Sequence, residues 1–129
     1  MTQLTTYDDC YNHLANAYVF RTFMDQPVYT DDPGIEDLQL DLIAEEYHEM
    51  LDAFDSKLCS RTECLKELAD LVYVCYQLAA AKGWNLDEAL ERVHSSNMSK
   101  LVDGKPLRRE DGKVLKGPNY QPPSLSDLV

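Results

Sequence analysis

Four acidic residues fall into two pairs with the same three-residue spacing, Glu46-x-x-Glu49 and Glu67-x-x-Asp70. Three residues advance a helix by just under one turn, so each pair projects from one side of its helix. If the chain reverses between the two segments, positions that face each other across the hairpin share a constant index sum. That sum is 116 for 46 with 70 and again for 49 with 67, which centres the reversal on residue 58. Glu46 then faces Asp70, and Glu49 faces Glu67. Four carboxylates a few Å apart cannot all stay ionised without compensating cations. Hard oxygen donors of this kind suit Mg²⁺, so the spacing predicts a divalent-metal site.

The competing explanation for acids on a helix is a solvated face. Helical angles argue against it. At about 100° per residue, Glu67 lies within about 60° of Cys64, Leu71, Val74 and Leu78, inside the apolar stripe. Glu46 and Glu49 flank the apolar stripe of their own helix in the same way. A lone carboxylate is costly there, and no Lys or Arg is expected on those faces, which leaves a metal as the counter-charge. Glu45 and His48 have the E-x-x-H spacing of di-iron carboxylate bundles, but such a centre needs a second pair. Glu67-x-x-Asp70 contains no histidine, and His13 and His94 sit in no comparable motif. His48 points nearly opposite Glu46 and reads as a surface residue.

The elements that must position these acids are helical. Thr5 and Thr6 precede Asp8 and Asp9 in capping spacing, and an amphipathic run continues to about Met24, with Pro27 closing it. Asp32-Pro33 supplies a cap and a first-turn proline for a second helix over about 35–54, whose apolar stripe is Ile43, Tyr47, Met50, Leu51 and Phe54. Ser60 and Glu63 form a capping box for a third helix that stops at Gly83. Asn85 with Glu88 opens a fourth, ending around Lys100 to Val102. Beyond it, Asp103-Gly104, Asp111-Gly112, Gly117-Pro118 and Pro122-Pro123 break up an irregular tail, with a small hairpin expected over Leu107 to Leu115. The expected fold is therefore all-α: an antiparallel bundle of about four helices, with a helical core over 5–102 and a basic tail over 103–129, in a single domain completed by oligomerisation.

The chain has 129 residues, with 12 basic against 23 acidic and a net charge of −11, which argues against a nucleic-acid polymer as partner. Local charge differs. Six of the 12 basic residues (Lys100, Lys105, Arg108, Arg109, Lys113 and Lys116) lie within 17 positions, opposed there only by Asp103, Glu110 and Asp111. The four cysteines, Cys10, Cys59, Cys64 and Cys75, show no C-x-x-C spacing and nothing resembles a signal peptide, so a reduced, cytoplasmic setting is expected. The apolar run Leu71 to Ala81 is too short to span a bilayer, and no membrane segment is expected.

Glu45-Glu46-x-x-Glu49, 17 intervening residues and Glu67-x-x-Asp70 resemble the E-E-x-x-E…E-x-x-D motif of the MazG-like all-α nucleoside triphosphate pyrophosphohydrolases. The similarity extends through Ser96-Asn97-Met98-Ser99-Lys100-Leu101, Asp103-Gly104-Lys105-Pro106 and Arg109-Glu110-Asp111-Gly112 to Tyr120, and covers about residues 35 to 123. It is similar to compact, often phage-encoded members and to relatives of phosphoribosyl-ATP pyrophosphohydrolase. The resemblance implies Mg²⁺- or Mn²⁺-dependent cleavage of a free (deoxy)nucleoside triphosphate to the monophosphate and pyrophosphate. It implies Glu46, Glu49, Glu67 and Asp70 as ligands of two or more ions, and a homo-oligomer, dimer or tetramer, in the cytoplasm, that of the host if the protein is phage-encoded.

On that footing, Glu45 or Glu49 is the candidate base or water-orienting group. Asn97, Lys100, Lys113 and Lys116 are candidates for the phosphates. Asn12 and Asn16, four apart in the first helix where asparagine is a poor helix former, are candidates for base reading, with Tyr120 for base or sugar. Trp84 is expected to anchor the fourth helix in the core. A guanine nucleotide (dGTP or GTP) is the first expectation, with nucleotide-pool remodelling as the role. The alternatives are phosphoribosyl-ATP as substrate and, from another class, a non-catalytic helical scaffold.

Overall fold

A computed structural model describes residues 11–129. The expected start of the first helix at Thr5 to Asp9, and Cys10, lie outside the described residues. Among those described the protein is all-α, with four α-helices in the order α1 (His13–Phe23), α2 (Pro33–Asp55), α3 (Arg61–Lys82) and α4 (Leu86–Met98), and a closing 3₁₀ turn at Ser126–Leu128. They fall into two compact units, Met1–Trp84 and Asn85–Val129.

In the first unit, each helix begins on a side-chain cap. Asn12 Oδ1 accepts from Ala15 N–H at 2.9 Å, Asp32 Oδ1 from Gly34 N–H at 2.8 Å, and Ser60 Oγ from Glu63 N–H at 3.1 Å. The Glu63 carboxylate does not complete a reciprocal capping box; it engages the Cys59 thiol, whose pKa it pushes up. α2 and α3 form an antiparallel hairpin. At its open end Lys82 Nζ meets Glu36 Oε2 at 2.7 Å, and near its turn Cys64 Sγ donates to the Ala53 carbonyl at 3.6 Å.

Along α2, Gln39, Ile43, Glu46, Met50 and Ala53 are buried or half-buried, at the alternating spacing of four and three that makes a continuous seam. Cys64, Glu67, Leu71, Val74 and Leu78 are the half-buried line of α3. Two polar layers interrupt the seam. One holds the acids. The other contains Gln39 and Gln77, buried at 3% and 4% exposure, whose indices also sum to 116. Arg21 of α1, 1% exposed, donates through Nη1 to Gln77 Oε1 at 3.4 Å and through Nε to the Pro27 carbonyl at 2.8 Å. The guanidinium thereby ties the α1–α2 loop to α3.

Among the described residues the buried apolar core is made of small residues, Ala17, Ala53, Ala79, Ala80 and Ala81, with Tyr76 the large exception. The apolar stripe expected on α2 divides. Ile43 and Met50 turn to α3, whereas Tyr47, Leu51 and Phe54 are 45%, 43% and 63% exposed. One partner helix covers only one face, and the apolar surface of α2 is wider than that face. Leu65, Leu68 and Val72 of α3 are exposed as well. Trp84 is likewise not a core anchor: it is 38% exposed, with Lys82 Nζ 5.5 Å from its ring centroid.

α3 stops where expected, at Gly83, whose φ of 74° lies in the left-handed region. A second constraint acts there. A Cβ at position 83 would stand 2.2 Å from Tyr29 Cδ1, so the tyrosine of the α1–α2 loop packs directly on the glycine. That loop continues along the end of α3, with Thr30 N–H donating to the Ala81 carbonyl at 2.8 Å.

In the second unit, Asn85 Oδ1 caps α4 by accepting from Glu88 N–H at 3.1 Å. The helix ends at Met98, a little before the expected Lys100 to Val102, because Ser99 Oγ donates to the Ser96 carbonyl at 2.6 Å and the following amides tighten into shorter turns. The tail folds back on α4. Arg92 grips Asp127 through both nitrogens at 2.6 and 3.0 Å, and Ser96 Oγ donates to the Gln121 carbonyl at 2.7 Å. The expected hairpin forms: Leu115 N–H donates to the Leu107 carbonyl and Arg109 N–H to the Lys113 carbonyl, with Gly112 at the turn. Among the described residues no helix is long and apolar enough to cross a membrane.

Gly83→Ala should lower the unfolding free energy by about 2–4 kcal/mol, from left-handed strain and the Tyr29 clash together. Urea unfolding of Gly83→Ala beside Gly83→Ala/Tyr29→Ala measures it, and the double variant should recover part of the loss. Equal losses would show that Tyr29 does not read this glycine.

Candidate metal centre

Glu46 stands in the α2 seam, and Glu67 in the facing seam of α3, its side chain 19% exposed. Glu49, one turn from Glu46, is exposed and leans over the same gap. Carboxylate oxygens of Glu46, Glu49 and Glu67 lie within 4.8 Å of one another. Glu46 Oε2 and Glu67 Oε2 are buried and accept no hydrogen bond from the described residues. Two desolvated carboxylate oxygens without donors are unfavourable in water-excluded surroundings. The donor set is all oxygen, open on the Glu49 side, and fits a hard divalent cation.

Glu46 records the strain. Its pKa is raised, first by burial and then by the charges of Glu49, Asp70, Glu67 and Glu45. All five acids of the motif therefore act on one point, although only three converge closely. Asp70, 35% exposed, pairs instead with Lys66 Nζ at 2.7 Å, and the same ammonium lies 3.6 Å from Glu67 Oε1. This corrects the expectation of a face without basic residues. Lys66 is four positions before Asp70, an ordinary helical ion pair that was legible in the sequence. At 66% exposure it is a weak, solvent-screened partner, and it leaves the buried oxygens of Glu46 and Glu67 unserved.

Glu45 is exposed on α2 beside this group, and His48 is exposed, its ring beside Tyr47, as expected for a surface residue. Asn16 is exposed on α1, while Asn12 precedes that helix and its oxygen is engaged in the cap. Asn97, Lys100, Lys113, Lys116 and Tyr120 belong to the second unit. There Lys116 Nζ lies 4.7 Å from the Tyr120 ring centroid, Lys100 is half-buried, and Lys113 and Asn97 are exposed.

A helical hairpin carrying inward carboxylates on both arms defines an all-α protein with a group of acids that could hold a divalent cation. The sequence profile of the phosphoribosyl-ATP pyrophosphohydrolase family matches residues 21–97, more than half of the chain, and the protein belongs to that family within the MazG-like all-α superfamily. The match includes all five acids of the motif. No curated protein sequence matches the chain. Family membership makes the protein a pyrophosphohydrolase of nucleotides, a family typically dependent on a divalent metal, and the acidic group is one that could hold such an ion.

Glu46 also sets a pH signature. Its folded pKa lies above that of the unfolded chain, so between the two values the metal-free fold gains stability as pH falls, and above the folded value the penalty is complete. In EDTA, the melting temperature of the wild type relative to Glu46→Gln should rise as pH is lowered from about 8 to about 5. Mg²⁺ should raise the wild-type melting temperature more than that of Glu46→Gln at the upper end. Parallel pH curves for the two proteins would contradict this account of the site.

Proposed function

We propose that the protein hydrolyses a free nucleoside triphosphate, most simply a deoxynucleotide, to the monophosphate and pyrophosphate. The observation that carries this reading is the pair of buried carboxylate oxygens, Glu46 Oε2 and Glu67 Oε2, facing an all-oxygen gap on the hairpin that the family profile covers. Glu46, Glu49 and Glu67 hold the cation, and Asp70 joins them once it leaves the exposed Lys66. Two Mg²⁺ or Mn²⁺ ions, when bound, polarise phosphate oxygens, acidify water and balance the charge of the polyphosphate.

The chain's own groups do the rest. Glu45 or Glu49, exposed beside the buried pair, takes a proton from or orients the attacking water. Water adds to phosphorus, the bridging P–O bond breaks, and pyrophosphate leaves with the electron pair. Asn97, Lys100, Lys113 and Lys116 are the proposed holders of the phosphate oxygens, supported by the concentration of positive charge in an otherwise acidic chain. The exposed apolar residues of the hairpin, Leu51, Phe54, Leu65 and Leu68 among them, support a homo-oligomer, since a core of alanines leaves large side chains to be covered by another copy. A guanine nucleotide remains the first substrate to try, and nucleotide-pool remodelling the proposed role.

Pyrophosphate release should be measured with Mg²⁺ over the common dNTPs and NTPs and over phosphoribosyl-ATP. The expected outcome is turnover of at least one nucleoside triphosphate above phosphoribosyl-ATP. Glu67→Gln should lose at least about 100-fold in kcat/KM while folding as well as or better than the wild type without metal. Turnover of phosphoribosyl-ATP alone would move the protein to that substrate. A protein releasing pyrophosphate from none of these, with no Mg²⁺-dependent thermal shift, would be a scaffold. Leu51→Glu with Phe54→Glu should lower the sedimenting mass, and an unchanged mass would take the oligomer contact off this face.

A further inference from the structure

We infer that a cleft between α1 and α3 receives the nucleobase, with His13, Asn16 and Tyr73 as the residues that select it. The inference rests on the nucleotide reading above and goes beyond it in naming where and how the base is held. The cleft has a volume of about 230 Å³ and is lined by His13, Asn16, Ala69, Val72, Tyr73 and Tyr76. That is below the usual range for drug-sized ligands and suits one small planar ring system.

Three features of the cleft point to a heterocycle. Its walls are aromatic and held in place: the His13 and Tyr76 rings lie 5.8 Å apart at 49°, and Phe20 meets Tyr73 edge-on at 5.6 Å and 89°. Aromatic faces on a rigid frame are a sequence-tolerant platform for stacking a base. Asn16 then adds discrimination. It is exposed in the interior of α1, and its side-chain amide enters no hydrogen bond among the described residues. An amide presents a donor and an acceptor together, the pattern that pairs with a base edge carrying both.

Position supplies the third feature. Ala69 of the cleft adjoins Asp70 in sequence, and Tyr73 follows Asp70 by three positions, about 60° around α3 and about 4.5 Å along it. The cleft and the acidic group thus share one stretch of one helix. A nucleotide whose phosphates reach the acids can lay its base against Tyr73. The division of labour is electrostatically sensible, because a neutral base needs no counter-ion and is accepted by an apolar cleft that would reject the phosphates.

Calorimetric binding of AMP, GMP, CMP and UMP, with ribose 5-phosphate as the base-free probe, tests the inference on the full chain with Mg²⁺ present. In Asn16→Ala and His13→Ala, monophosphate affinity should fall about tenfold while ribose 5-phosphate binding is unchanged. Both positions are exposed and alanine is the better helix former, so α1 persists in each variant, and a thermal melt of His13→Ala checks the loss of its ring contact with Tyr76. Asn16→Asp, which keeps only acceptors, should reorder the four bases in favour of those with an amino donor on the edge. Unchanged monophosphate affinities in both alanine variants, or an equal fall for ribose 5-phosphate, would overturn the cleft as a base site. Base-dependent binding with no pyrophosphate release from any triphosphate would uphold the cleft and overturn the hydrolase reading. Turnover indifferent to all three variants would overturn the cleft and leave the hydrolase reading standing.

Discussion

The constraint on which this structure turns is the burial of carboxylate against carboxylate in a helical seam. Glu46 and Glu67 occupy positions that a hairpin ordinarily fills with apolar side chains, and each keeps a buried oxygen with no donor among the described residues. Hydrophobic residues of similar volume at those positions would make a more stable hairpin. The seam tolerates the acids because most of its other layers are apolar and because Glu49 and Asp70 sit on its solvent side, where charge is less costly. A site that is unfavourable when empty binds a cation with correspondingly greater effect, and the raised pKa of Glu46 is the same imbalance expressed as proton affinity.

The remainder of the first unit holds the two arms in register. Lys82 closes the open end onto Glu36, the Arg21–Gln77 contact joins α1 to α3, and Tyr29 packs on Gly83 where α3 stops. These contacts lie well away from the acids along the hairpin, yet a shift of one residue between α2 and α3 would turn Glu46 away from Glu67. The alanine-rich end of α3 lets the loop backbone come close enough for its amides to reach Ala80 and Ala81. The result is a chain with a well-fixed polar centre and a thin core, whose large apolar residues are left on the outside of the hairpin.

Much of this was legible from residue types and spacing. The three caps at Asp32, Ser60 and Asn85, the glycine stop at Gly83 and the hairpin at Asp111-Gly112 are local features, decided by side chains within a few positions of the backbone they serve. Helical periodicity and a single chain reversal bring the acids of both helices to one side; Glu49 meets Glu67 as expected, while Glu46 joins that pair and Asp70, expected opposite Glu46, pairs with Lys66. Lys66 is equally local, since its pairing with Asp70 runs along one helix, whereas the constant index sum relates only residues across the hairpin. The four-residue spacing of Asn12 and Asn16 suggests one helical face, whereas the helix begins between them and turns Asn12 into its cap.

The sequence alone therefore determined which segments are helices, where they stop, and which acids share a side, because those properties depend on neighbours within about a turn. Only the tertiary structure decided which apolar residues are buried, that Asp70 leans to Lys66 while three glutamates converge, and that Arg21 and Gln77 meet in the interior. The cleft of His13, Asn16, Tyr73 and Tyr76 is of the same kind, since its two walls are more than 50 positions apart in the chain. Contacts of that range depend on how whole helices seat against one another, and helical periodicity specifies the face a residue occupies but not the neighbour it meets.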